Sequence, residues 1–466
     1  MGPGAYRTLV IPGKNPNVAM RTPALLLFIL WALTAGHAHA GQARPITSEE
    51  AVDLALEHSR TLESARSDAM AAEAVLDQTR TLRLPALSAR GTYTRLSDNV
   101  SDLEFDLPSE LGNVLGSSFE LATIELDQIH SDVSLTQPIF SGFRISNSIQ
   151  SARHAAEAAR LDARGAEVDA AFRARQAFWD LVRAEAAMHA LETAVAQMES
   201  HLQDARNRLQ EGAATESEIL RIRTRLLEIR ADRIDAHGAV RLARMDLCRL
   251  TGMPLDTPLD PVPIEETATG PTLPDGDLRD TALSRHPALL ALEQRSAALD
   301  ARVGAVRADW FPDVTAFSRY QYARPNPYFF LDQDEFRGSW EAGVSATWTI
   351  WDWNRRGAAV QEARARLRST RSAEADLRER IELEVERRKI GFESALQSLE
   401  AARVNVESAS ESFRLARGEY ELGAALTSHV LDAESELRSA ELRLADARAE
   451  VALAHAFILQ VLGRTR

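Results

Sequence analysis

The residues able to do acid–base, nucleophilic or metal chemistry are spread along this chain without the spacing that such chemistry needs. The eleven histidines include no HExxH pair, no GxSxG sequence presents a nucleophilic serine, and no glycine-rich loop is placed to bind phosphate. Cys248 is the single cysteine, so no intrachain disulfide is possible. Its neighbours Leu247 and Leu250 favour a buried, inert thiol. The sequence therefore predicts no enzyme, no metal site and no cofactor.

Charge and composition exclude a further class of function. The 466 residues include 54 Lys and Arg against 68 Asp and Glu, a formal net charge of −14. Nucleic-acid binding requires a basic face to neutralise phosphates, so we do not expect it. The chain is rich in Ala, Glu, Arg and Leu, a composition that favours long helices. Its carboxylates stand among arginines on the flanks of those helices, and we interpret them as solvated faces.

Residues 20–40, MRTPALLLFILWALTAGHAHA, have the organisation of a secretory signal peptide. Arg21 precedes a short apolar run, and Ala38 and Ala40 form a small-x-small cleavage site. A membrane anchor is the alternative, but a spanning helix takes about 20 apolar residues and this run is shorter. Gly41, the expected first mature residue, offers no cysteine for a lipid. No later run is long enough to span a bilayer as a helix, so the mature chain would enter a membrane only as strands.

The chain matches itself in two registers, which indicates an internal duplication. At a shift of 211 residues, the tripeptide GAA at 212–214 falls on GAA at 423–425; at a shift of 227, Tyr93 falls on Tyr320. The sixteen-residue difference predicts an insertion between Tyr93 and Ile139 in the first copy. We therefore predict a leader and signal peptide over residues 1–40, a first repeat over 41–253, a linker over 254–274 that looks extended, and a second repeat over 275–466.

Each repeat is predicted to end in a long antiparallel coiled-coil hairpin. Apolar residues recur at alternating three- and four-residue intervals, a 3.5-residue period that indicates left-handed coiled-coil packing. One helix, from Gly142 to Glu211, would be about 105 Å long, which a globular domain does not need. Gly212 and Gly423 mark the turns, because glycine takes the left-handed conformation that ends a helix. Thr215 to Glu218 then has the pattern of a capping box.

Four strands are predicted from period-2 alternation. They cover about residues 86–96, 131–140, 312–323 and 340–351. Five of the seven Trp lie at or near these segments, which is typical of transmembrane barrel strands with interfacial aromatic girdles; packing on a soluble core is the alternative. Four strands cannot close a membrane barrel, so several chains would have to share one.

The order of these features, repeated twice after a signal peptide, resembles the TolC family of outer-membrane efflux proteins over essentially the whole mature chain. The resemblance implies a fold that is mainly α with a membrane β-barrel part. Three chains would form a twelve-stranded barrel in the outer membrane of a Gram-negative bacterium and a hollow α-barrel extending into the periplasm. The residues that carry the resemblance are LTQPIFSGFR and TWTIWDWNRRG, RLQEGAATESEIL and YELGAALTSHVLDAESEL, and LCRLTG and VLGRTR.

The resemblance also implies partners and sites. As a homotrimer in outer-membrane lipid, the protein would receive substrates from an inner-membrane transporter through a periplasmic adaptor that docks on the hairpin tips. Efflux and type I secretion both use this architecture. The strand–helix joints are Pro138, Gly142 and Trp353, where Trp353 replaces the glycine of the first copy. The docking residues, carried over by position, are Gly212, Ala213, Ala214, Thr215, Gly423, Ala424, Ala425 and Thr427.

An exported periplasmic coiled-coil scaffold without a pore is the alternative hypothesis. It explains the heptads equally well. It does not explain four aromatic-flanked strands, each pair of which is entered and left through helices. The substrate and the class of pump are not specified by these residues.

Overall fold

The computed structural model describes residues 43–99, 103–106, 118–122, 125–262, 273, 276–329 and 334–466. The predicted signal peptide lies outside the described residues, and so do residues 263–272 and 274 of the predicted linker. Within the described part of the chain, the helices are α1 Ser48–His58, α2 Arg60–Thr81, α3 Arg144–Gln210, α4 Glu216–Thr251, α5 Leu278–Arg285, α6 Pro287–Arg307, α7 Arg355–Glu421 and α8 Thr427–Val461. The strands are β1 Arg44–Ile46, β2 Ala86–Arg95, β3 Leu103–Asp106, β4 Ser118–Ala122, β5 Asp127–Ser141, β6 Leu259–Pro261, β7 Asp313–Arg324 and β8 Arg337–Thr347.

The long hairpins are confirmed. Helices α3 and α7 each have 67 residues, about 100 Å at 1.5 Å per residue, and α4 and α8 return beside them with 36 and 35 residues. The heptad positions form their cores, in which Leu202, Ile222 and Ile229 pack between α3 and α4. Cys248 is fully buried, and burial raises the pKa of its thiol, as expected of an inert side chain.

The helices form a single layer rather than a closed bundle. Near the tips, α8 lies between α7 and α3, and α3 lies between α8 and α4. Near the strands, α2 and α6 occupy the places that α4 and α8 have near the tips. There α3 packs between α2 and α6, and α6 packs against α7. Helix α7 is therefore an edge of the layer along its whole length, and α2 and α4 form the opposite edge.

The four longer strands form one antiparallel sheet in the order β2-β5-β7-β8. Pairing of Val133 with Tyr320, and of Tyr320 with Trp340, places these side chains on one face. The predicted last strand, 340–351, is wrong at both ends: β8 begins at Arg337 and ends at Thr347. The prediction followed alternation alone, but β8 can pair only as far as β7 extends, and the first residue of β7, Asp313, pairs with Thr347.

Three other features were not predicted. The helix ahead of each first strand is two helices, because Ser59 caps α2 and His286 precedes Pro287 of α6. Strands β3 and β4 pair as a hairpin within the predicted insertion. Strand β6, inside the predicted linker, pairs in parallel with β1, so part of that segment belongs to a small sheet.

Among the described residues, no helix is both long and apolar enough to cross a bilayer. The same residues contain no group of three or more His, Cys, Asp or Glu side chains placed to hold a metal ion.

Candidate functional site at the hairpin tips

Both tips turn in the same way. Gly212 and Gly423 have φ near +72° and +74°, the left-handed region that glycine adopts without strain. The N–H of Ala213 donates to the carbonyl of Arg208 at 2.8 Å, and the N–H of Ala424 donates to that of Glu419 at 2.8 Å. These are the bonds of Schellman turns, which satisfy the last carbonyls of each descending helix. The repeated GAA tripeptide thus gives two copies of one turn.

The returning helices begin differently at the two tips. Thr215 caps α4, because its hydroxyl accepts from the N–H of Glu218 at 3.3 Å. The capping box predicted over residues 215–218 is nevertheless only half formed, since the Glu218 carboxylate is used elsewhere. At the second tip Leu426 occupies the cap position and gives no side-chain cap.

The Glu218 carboxylate joins the first hairpin to the second. Its Oε1 accepts from the Tyr420 hydroxyl at 3.1 Å and from the Thr427 hydroxyl. Tyr420 ends α7, Thr427 begins α8, and Glu218 lies in the first turn of α4. Three of the four long helices therefore meet at one carboxylate.

A second contact reinforces this connection. Arg208, near the end of α3, donates to the Tyr420 carbonyl at 2.6 Å, and its guanidinium lies 4.6 Å from the centre of the Tyr420 ring. His201 packs edge-on against the same ring. Burial in this cluster raises the pKa of Tyr420. We call Arg208, Glu218, Tyr420 and Thr427 the tip clamp.

The structure separates the predicted docking residues into two groups. Ala213, Thr215 and Ala424 are exposed, and Ala214 and Ala425 are half-buried. Thr427 is buried and belongs to the tip clamp rather than to the surface. Sequence reasoning missed two exposed apolar residues beside the second turn, Leu422 and Leu426. The sequence held one signal for the tip clamp: Tyr420 places a hydroxyl at a heptad position of α7, and that hydroxyl bonds to Glu218.

The two strand–helix joints share an uncommon backbone. Gly142 and Phe143 are both left-handed, with φ of +58° and +67°, and Trp353 and Asn354 repeat this with +56° and +67°. A Cβ on Gly142 would lie 2.6 Å from the Ala308 carbonyl, so glycine is required there by space as well as by φ. Trp353 has room because it is exposed, but it carries the strain of the left-handed region.

Pro138 lies inside β5, ahead of the first joint, where the pairing with β7 shifts between Pro138 and Phe140. The second joint is fixed by Arg356, which is 4% exposed. Its Nε donates to Asp352 at 2.8 Å, and its guanidinium lies 4.5 Å from the centre of the Trp310 ring. The joints thus hold the sheet in a fixed orientation relative to the long helices.

Comparison with known proteins gives the same assignment as this geometry. The family model described as outer membrane efflux protein matches residues 51–253 and 278–464, which include both hairpins and all four strands of the sheet. The chain belongs to this family. Family membership confirms an outer-membrane protein that extends into the periplasm and belongs to a family of efflux channels.

Individual relatives are distant in sequence. Outer membrane efflux protein BepC of Brucella suis biovar 1 is 24% identical over 345 residues, which is 71% of each chain. The crystal structure of CusC superposes with a TM-score of 0.75 at 18% identity, covering 90% of this efflux protein and 92% of CusC. That of VceC from Vibrio cholerae gives 0.72 at 16% identity, covering 90% and 96%. The structural likenesses confirm the fold.

Proposed function

We propose that three copies of this chain assemble into one continuous conduit through the periplasm and the outer membrane. An inner-membrane transporter would supply substrate and energy, and a periplasmic adaptor would dock on the hairpin tips. The observation that carries this proposal is the single layer of helices continuous with a single sheet, each with two free edges.

The free edges of the helical layer have apolar flanks. On α7, Leu383, Ile390 and Val404 are exposed and recur at multiples of seven residues. The buried α7 residues Val385 and Phe392 point to the opposite side, toward the layer. A helix with two opposite apolar flanks is expected in a wall, where it packs against a neighbour on each side.

The opposite edge has the same property. On α4, Leu220, Leu227 and Ile234 are exposed at seven-residue intervals, while Ile222 and Ile229 are buried on the other flank. Packing α4 of one copy against α7 of the next would bury both stripes. Repeating that contact closes a ring of helices around a central space.

The sheet supports the same assembly. The extensive contacts of its four strands are with each other and not with the helices. Its edges β2 and β8 leave backbone groups without a strand partner in the described structure, as a strand of a neighbouring copy requires. One face has exposed apolar side chains, among them Leu87, Tyr320, Trp340 and Val344. Such a large exposed apolar surface suits lipid.

The other face of the sheet is polar, as the lining of an aqueous pore requires. Ser88 and Ser134 hydrogen-bond across β2 and β5 at 2.8 Å, and Arg319 pairs with Glu341 across β7 and β8 at 3.0 Å. A twelve-stranded barrel from three sheets would place these side chains inside. The scaffold hypothesis gives no role to a sheet with one lipid-like and one water-like face.

The tip clamp suggests how the conduit is closed. It joins the hairpin α3-α4 to the hairpin α7-α8 within one chain, so separating the tips requires breaking these contacts. The exposed turns at Gly212 to Thr215 and Gly423 to Ala425, with Leu422 and Leu426, would receive the adaptor. The division of the chain into two repeats, at residues 41–253 and 275–466, then supplies six hairpins per trimer.

Single-channel conductance of the purified mature protein in planar bilayers tests the proposal. We expect discrete conductance steps from material that is trimeric by native mass measurement. Correctly folded protein that never inserts, and that remains a soluble dimer, would refute the conduit and support a periplasmic scaffold.

A further inference from the structure

Two polar groups without partners lie just inside the tips, where the hairpins meet. Glu434 of α8 is 2% exposed, and neither of its carboxyl oxygens has a hydrogen-bond partner in the described structure. The Nε2 atom of His201 on α3 is also buried without a partner. Both residues line one cavity of about 20 Å³, room for about one water molecule. A buried carboxylate needs several donors, and this cavity does not supply them.

The nearest cation, Arg438, does not fully neutralise a carboxylate at Glu434. Arg438, one turn along α8, has its Nε 3.7 Å from the Glu434 carboxyl, which is beyond hydrogen-bond distance. Its Nη1 lies 3.4 Å from Asp232 on α4, so the guanidinium is shared. Arg225 on α4 is engaged by Glu228 at 3.0 Å. The other charged groups that face Glu434 or His201 are Asp204 and Arg208 on α3, Glu218 on α4, Arg417 on α7 and Glu441 on α8.

Burial is therefore the main influence on the pKa values of Glu434 and His201, and it favours the neutral form of each side chain. It raises the pKa of Glu434, and the charges of Arg438 and Arg225 only partly oppose this. It lowers the pKa of His201, with Asp204 and Glu218 opposing. A neutral carboxyl offers one donor and can share a single water or the imidazole with fewer partners than a carboxylate.

We propose that Glu434 is a proton-binding latch between the hairpins: its carboxyl holds a proton while they are packed and releases it when they separate. The latch rests on the proposed function, since it regulates the opening of the same tips. Separation hydrates the cavity, so that Glu434 ionises and His201 regains its ordinary basicity.

The direction of the pH effect follows from the two shifts. The packed state holds a proton on Glu434 between the ordinary value near 4.5 and the raised one, so rising pH in that window weakens packing. His201 is harder to protonate when packed, so falling pH below about 6.5 also weakens packing. Below about pH 6.5 the two effects oppose each other, whereas above it only Glu434 contributes and rising pH favours opening. Each titrating group changes the equilibrium by up to about tenfold per pH unit in each chain.

The test is the open fraction of single channels from about pH 5 to about pH 8. Wild type should open more at the alkaline end, Glu434→Gln should lose that rise, and the matched exposed control Glu436→Gln should keep it. An infrared band of a protonated carboxyl should be present in wild type at intermediate pH and missing in Glu434→Gln.

A wild-type channel whose open fraction does not change with pH, or one without the infrared band, overturns the latch and leaves the conduit intact. Absence of any channel instead overturns the proposed function. Because both wild-type measurements stand alone, the proposal remains refutable even if Glu434→Gln does not assemble.

Discussion

Tyr420→Phe is the sharpest test of the tip clamp. The change removes the hydroxyl that donates to Glu218 at 3.1 Å and keeps the ring that packs against Arg208 and His201. A hydrogen bond to a half-buried carboxylate contributes about 1 kcal/mol. The packed and separated tips of one chain would then shift by about fivefold in equilibrium. If all three chains of the trimer must separate together, the factors multiply to roughly a hundredfold.

The assay is the open fraction of single channels at fixed voltage and pH. We expect a large rise for Tyr420→Phe and a further rise when Thr427→Val is added, because both hydroxyls donate to the same Glu218 oxygen. Glu211→Gln is the matched control, since it removes an exposed tip charge that has no side-chain hydrogen bond in the described structure. If the double variant opened no more often than wild type, the clamp would not hold the tips together.

Three further substitutions test other parts of the structure. Gly142→Ala should lower the free energy of unfolding by about 2–4 kcal/mol, because it adds left-handed strain and a clash with the Ala308 carbonyl. Gly212→Ala should lower it by only about 1 kcal/mol, because its Cβ meets no atom within 4 Å. Thermal unfolding in detergent measures both losses, and equal losses would mean that the clash is unimportant. Ile390→Lys should weaken each contact between chains by about 2 kcal/mol, so that native mass measurement finds the trimer dissociated. Ser398→Lys, at an exposed position on another face of α7, should leave the trimer intact. Equal effects of the two substitutions would exclude the Ile390 flank as an interface. Trp353→Gly should raise the melting temperature, because glycine relieves up to about 1 kcal/mol of left-handed backbone strain. A lower melting temperature would mean that contacts of the indole outweigh that strain.

Several local features were predictable because they depend on neighbours in sequence. The 3.5-residue period predicted both hairpins, and the helix starts at Arg144 and Arg355 repeat at the same shift of 211 residues that the sequence showed. Gly212 and Gly423 predicted the turns because a left-handed helix end favours glycine over every other residue. The family could be named from the order of these elements before any coordinates.

Partners distant in sequence were not predictable. Glu218 has the spacing of a capping box, but its carboxylate bonds to Tyr420 and Thr427, about 200 residues away. Glu434 was interpreted, with the other carboxylates, as part of a solvated face, and that interpretation is wrong for this residue: it is buried. An Asp or Glu between heptad positions looks the same whether solvent or another helix lies beside it.

The sequence by itself therefore determined the helices, their turns, the approximate strands and the duplication, since periodicity and backbone preference are properties of a short segment. Only the tertiary structure decided which edges stay free, where β8 ends, that Trp353 repeats the left-handed joint of Gly142, and which carboxylates are buried. These depend on how segments hundreds of residues apart are packed side by side. Packing determines whether each polar group contacts water or a specific partner, and a local sequence pattern does not contain that information.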